Sequence, residues 1–155
     1  MKLDEKNRRI LDLLQEDSSI TNAELARRIG LAPASTLERV RWMEQNGIIA
    51  KYVAVVDPDK VGMPITAFVE IAMSSHSAAT IDAFSAAIAT IPEVLECHHV
   101  AGDKDFVLKV VTPDIRRYEK VVLEKIATMP NIGRITTVFV LSTVKRAGGV
   151  PMITE

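Results

Sequence analysis

Apolar positions in the first fifty residues recur every three or four places, and from about residue 51 onward they run in short blocks. Ile10, Leu13 and Leu14 mark one face of a helix that Asp4 can cap and that runs to about residue 16. Thr21-Asn22-Ala23-Glu24 has the spacing of a capping box, in which hydroxyl and carboxylate each satisfy a free backbone N–H. Leu25 and Ile29 follow one turn apart, and Gly30 can take the left-handed conformation that stops this second helix. Pro33, with no N–H to waste, suits the start of a third helix. Its expected buried stripe is Leu37, Val40 and Met43, and Gly47 ends it. Two helices joined by Gly30-Leu31-Ala32 make a helix-turn-helix.

The pattern then changes to strand, helix, strand, strand, helix, strand. Residues 51–56 read as a strand closed by Asp57-Pro58-Asp59, with Gly62 and Pro64 beyond. Residues 65–73 read as a second β run. Ser77 can cap a helix with stripe Ile81, Phe84 and Ile88. Strands at 94–101 and 106–111 flank Gly102-Asp103-Lys104-Asp105. Asp114 opens a helix with Ile115, Tyr118, Val122, Ile126 and Met129 at helical spacing, and residues 135–144 form the last strand. This order is that of a ferredoxin-like βαββαβ sandwich, so the fold class is α+β, an N-terminal winged-type helix-turn-helix followed by that sandwich. The expected division is a helix-turn-helix domain at 1–51, a hinge strand and linker at 52–63, and a second domain at 64–155.

Composition narrows the classes. The 155 residues are 48% hydrophobic and 25% charged, as in globular proteins, and no apolar run is long enough to span a bilayer. The start, Met1-Lys2-Leu3-Asp4-Glu5, lacks the apolar core of a signal peptide, and a single cysteine, Cys97, excludes an internal disulfide framework. Cytoplasmic residence is expected. Net charge is −1, so any contact with double-stranded DNA must come from a local patch. A recognition helix presents its N-terminal part to the bases. The face opposite Leu37 and Val40 carries Ser35, Glu38, Arg39 and Trp42, with Thr36 and Arg41 flanking. Arg39 is the expected base reader, because a guanidinium can donate twice to guanine. Arg27, Arg28 and Lys51 are candidate phosphate contacts.

Residues 106–111 and 138–141 are nearly continuous apolar runs, whereas strands with one wet face alternate. Two helices cover one face of such a sheet, so a second subunit is expected on the other, and a dimer suits a reader of two half-sites. Cys97-His98-His99 invites a metal reading, but alternation sends His98 to the opposite face and the only other histidine is His76. No metal, cofactor or catalytic set is expected.

Taken together, these landmarks resemble the Lrp/AsnC, or feast/famine, family of regulators. The matching residues include Leu3-Asp4, Asn22, Leu25-Ala26, Gly30-Leu31, Pro33, Leu37, Arg39-Val40, Glu44, Gly47-Ile48-Ile49, Tyr52, Ala54, Pro92-Glu93-Val94, Glu96-Cys97-His98, Gly102-Asp103-Lys104-Asp105, Tyr118, Pro130 and Val144-Lys145. Ala32 stands where the family usually has a serine cap, Trp42 at a commonly basic position, and Ser19 where a basic residue is frequent. The resemblance implies a transcription regulator, not an enzyme, that forms homodimers assembling into octamers. It implies a small effector, an amino acid, bound between subunits near Gly102, Asp103 and Asp105. His99, Val100, Ala101 and Lys104 adjoin that motif, and Thr136 and Thr137 lie where the last strand can contribute. Physically, an aspartate can accept from the ammonium while backbone N–H groups near Gly102 reach the carboxylate. Two other readings stand beside this one. Some Lrp-like proteins decarboxylate haem precursors, which would draw on His98 or His99, and an amino-acid sensor could act without DNA.

Overall fold

The computed structural model describes residues 2–146 and 148–152 and resolves them into two compact units. One runs to Val55 and takes in the C-terminal segment from Lys145; the other is Val56–Val144. The C-terminal segment therefore groups with the helical unit, whereas the sequence reading placed it in the second domain.

In the first unit, α1 (Glu5–Glu16), α2 (Asn22–Ile29) and α3 (Pro33–Gln45) close on a core of Ile10, Leu11, Leu13, Leu25 and Met43. Asp4 caps α1 by accepting from the Asn7 N–H at 2.8 Å, and Thr21 caps α2 by accepting from the Glu24 N–H at 3.2 Å. Only half of the expected capping box forms, because the Glu24 carboxylate turns to Arg27 and Arg28. Gly30 ends α2 in the left-handed conformation (φ 70°), which costs a residue without Cβ nothing. Residues 51–56 form no strand. Their β-rich composition meets no partner strand among the described residues, and Val55 is 89% exposed.

The second unit is a four-stranded antiparallel sheet in the order β2-β3-β1-β4, formed by β1 (Ile65–Met73), β2 (Val94–His99), β3 (Phe106–Thr112) and β4 (Ile132–Phe139). Helices α4 (Ala78–Ile88) and α5 (Ile115–Lys120) supply the helical layer, the latter continuing as a π-helical turn at Val121–Ile126. This is the ferredoxin-like α+β order. Alternation along β1 sends Ala67, Val69, Ile71 and Met73 into the core with Phe84, Ile88, Phe106, Leu108, Tyr118 and Ile126. The expected Tyr118, Val122 and Ile126 face inward and Val121 joins them, whereas Ile115, at the start of α5, is exposed.

The last strand begins three residues earlier and ends five residues earlier than the apolar run suggested. At its start, Gly133 sits in a register shift opposite Ala72 and Met73, where a Cβ would stand 3.0 Å from the Ala72 carbonyl oxygen. At its end, pairing stops near the beginning of β1, and Leu141 is left 99% exposed.

Candidate functional site

The third helix is rotated relative to the sequence reading. Its inward stripe is Thr36, Arg39, Val40 and Met43, and Leu37 lies on the exposed side. Thr36 is fully buried, its hydroxyl donating to the Ala32 carbonyl at 3.2 Å. Arg39 is not on the outer face. Its Nη1 donates to Asp4 Oδ2 at 2.8 Å, Asp4 Oδ1 at 2.9 Å and Asn7 Oδ1 at 2.9 Å, and its side chain is only 18% exposed. Arg39 thus ties α3 to the cap of α1. Asn7, fully buried, completes the tie by donating to the Lys2 carbonyl at 2.6 Å. Asp4 lies below its ordinary value, chiefly through the Asn7 N–H and next through Arg39. Sequence reasoning missed Asn7 because the partner of its amide lies 32 residues away.

The outer face of α3 carries Ala34, Leu37, Glu38 and Arg41, with Ser35 half-buried beside them. Trp42 is half-buried and packs on the core of the first unit rather than standing on the outer face. Arg27 and Arg28 are exposed but share the Glu24 carboxylate at 2.7 Å, which holds that group down at about 2. Lys51 is exposed.

In the second unit the loop between β2 and β3 places its two aspartates in different surroundings. Asp103 is exposed and has no side-chain partner among the described residues. Asp105 is mostly buried: Oδ2 accepts from the Met73 N–H at 2.7 Å, and Oδ1 lies 3.1 Å from His76 Nε2. Its backbone N–H donates to the Ile71 carbonyl at 2.9 Å, and its carbonyl accepts from Val100 at 2.8 Å. Asp105 therefore pins the loop across the end of β1. The sequence favours Asp105 as the carboxylate for the ammonium, with Asp103 the other candidate, and does not foresee His76 as its partner. Gly102 takes φ 144°, a conformation that favours glycine. Ala101 is exposed, while Val100 and Lys104 are half-buried.

Thr136 and Thr137 do not share a face. Thr137 points to the helices and bonds Tyr118 Oη, whereas Thr136 pairs with Glu70 on the face the helices leave open. Beside Thr136 that open face carries Phe68, Val138, Lys109 and Glu96, the last two joined at 2.9 Å. His99 stacks on Phe106 with ring centres 4.8 Å apart and lines a cleft of about 500 Å³ with Cys97, Ser85 and Ile88; no residue of the loop 102–105 lines it. Among the described residues no group of three His, Cys, Asp or Glu is placed to hold a metal ion, and no helix is long and apolar enough to cross a membrane.

Comparison with known proteins defines the class. Residues 3–50 match the winged helix-turn-helix DNA-binding family, and residues 66–150 match the Lrp/AsnC ligand binding domain. The leucine-responsive regulatory protein of Salmonella typhimurium is 37% identical over 145 residues, covering 94% of this chain and 88% of that one. The transcriptional regulator AzlB of Bacillus subtilis is 37% identical over 150 residues, covering 97% and 96%. An AsnC family transcriptional regulator from Agrobacterium tumefaciens superposes with a TM-score of 0.91 at 36% identity, over 96% of this chain and 97% of that one. A transcriptional regulator from Neisseria meningitidis, solved as its L-Met complex, superposes with a TM-score of 0.92 at 28% identity, over 97% of each. The protein is a DNA-binding transcriptional regulator with a separate ligand-binding domain. The chain belongs to the Lrp/AsnC family.

Proposed function

We propose that this regulator is a cytoplasmic homo-oligomer whose DNA affinity or assembly changes when the second unit binds an amino acid, and that it is not an enzyme. The observation that carries the effector class is the L-Met complex of the Neisseria meningitidis relative, which shares the fold over nearly the whole chain. Asp103 supplies the carboxylate for the ammonium group, since Asp105 is already committed to Met73 and His76. Backbone N–H groups near Gly102, flanked by His99, Val100, Ala101 and Lys104, reach the carboxylate, and Thr136 contributes from its exposed face. In the first unit, Ser35, Glu38 and Arg41 face the bases, while Arg27, Arg28 and Lys51 meet phosphates.

The open sheet face supports a dimer, because Phe68 and Val138 stand on it half-exposed. Higher assembly to an octamer follows the family pattern. A thermal-shift screen against the twenty amino acids tests the effector: a bound ligand raises the melting temperature by mass action. A stabilising amino acid that loses its effect in Asp103→Asn supports the site. The absence of any stabilising amino acid contradicts the effector class.

A further inference from the structure

On the first unit, α1 and residues 48–55 border an apolar cleft of about 700 Å³ lined by Leu3, Leu11, Leu14, Ile49 and Val53. The C-terminal segment forms one wall of it. Val150 and Met152 line the same cleft, and Met152 packs on the core of the unit. One side chain holds the segment there. Gln15 Oε1 accepts from the Val150 N–H at 2.6 Å, and Gln15 Nε2 donates to the Val150 carbonyl at 3.1 Å.

The match has a physical basis. A residue in extended conformation turns its own N–H and C=O to the same edge, and Pro151 biases Val150 towards that conformation. A primary amide offers one acceptor and a donor at the right separation to meet both. Gly149 completes the fit. A Cβ built there would lie 2.8 Å from Gln15 Oε1 and 2.9 Å from Gln15 Cβ, so only glycine lets the backbone come this close.

We infer that the chain's own segment Gly149-Val150-Pro151-Met152, clamped by Gln15, is a strap docked on the helical unit, where it forms one wall of this cleft. Residues 50–55, which lead out of the helical unit, line the same cleft. The clamp therefore fastens two stretches of chain to one place: the exit towards β1, and the return from β4. It makes the C-terminal segment a second tether on the DNA-binding unit. Release of the segment exposes apolar surface of the helical unit and loosens the exit stretch.

Residue-resolved amide exchange on the full-length protein tests this without reference to DNA or effector. Gln15 is exposed on α1, and alanine keeps the helix. In wild type the Val150 amide exchanges about fivefold or more slowly than in an unstructured chain, and Gln15→Ala removes that protection while α1 and the sheet keep theirs. Gly149→Val, which leaves α1 untouched, produces the same loss. Deletion of residues 148–155 accelerates exchange across residues 50–55. A Val150 amide unprotected in wild type, or equally protected in Gln15→Ala and Gly149→Val, overturns the clamp. Unchanged exchange at residues 50–55 in the deletion overturns the tether.

Discussion

At the residue scale, two charged side chains serve structure where sequence spacing pointed to recognition. Arg39 stands at a position that a helical wheel drawn on Leu37 and Val40 sends outward, yet it closes on Asp4 and Asn7. Arg39→Ala should destabilise the first unit by about 1–2 kcal/mol, the worth of charge-assisted bonds to a partly solvent-screened carboxylate. Urea unfolding checks this, and Arg41→Ala, on the exposed face, should leave stability unchanged while weakening DNA binding. The pH dependence carries a sign. Asp4 is depressed in the folded protein, so its stabilisation is full above its ordinary value of 3.8 and fades as the pH falls through the lower folded value. The stability gap between wild type and Arg39→Ala should therefore narrow below pH 3.8. Asp105 is the second case. Asp105→Ala strips the Met73 N–H of its acceptor and should lower stability, whereas Asp103→Asn should leave stability intact and weaken effector binding about ten- to a hundredfold. Thermal melts and calorimetry separate the two aspartates. The loop itself was legible in the sequence, since Gly-Asp-x-Asp between two apolar strands is a local signal. Which carboxylate was free was not, because Met73 and His76 reach Asp105 from 32 and 29 residues away.

At the element scale, the helices and turns were legible wherever chemistry is local. Caps at Asp4, Thr21, Ser77 and Asp114 and the stop at Gly30 all sit where their side chains or backbone freedom put them. Elements that depend on a neighbour were misread. Residues 51–56 are rich in β-formers but find no partner strand among the described residues, and the end of β4 is set by where β1 begins rather than by its own apolar run. The π turn after α5 has no sequence period that betrays it. Tyr52, within the strandless stretch, is anchored by a bond from its hydroxyl to Glu44 at 2.9 Å. Burial first, and Glu44 second, push its phenol up to about 12. The neutral phenol stabilises this contact below its ordinary value of 10.0, and that contribution is lost as the pH rises towards 12. An absorbance titration should show the step removed by Tyr52→Phe near 12, and a step at 10 would place Tyr52 free in solvent.

At the scale of the whole molecule, a DNA-binding unit and a ligand-binding domain are joined in one chain, and within the second unit the helices leave one face of the sheet open. Phe68→Glu on that face should convert the protein to monomers in sedimentation, because a carboxylate placed in an apolar interface stays unpaired. Unaltered assembly would move the dimer contact elsewhere. Coupling between the two activities is the central claim, and fluorescence anisotropy on a DNA fragment selected by the protein from genomic DNA tests it most directly. At fixed salt, that fragment should bind about a thousandfold or more tightly than random sequence. An amino acid found by thermal shift should change that affinity by roughly 5- to 150-fold. Failure to find any preferred fragment, or an affinity untouched by every amino acid that stabilises the protein, would contradict the account.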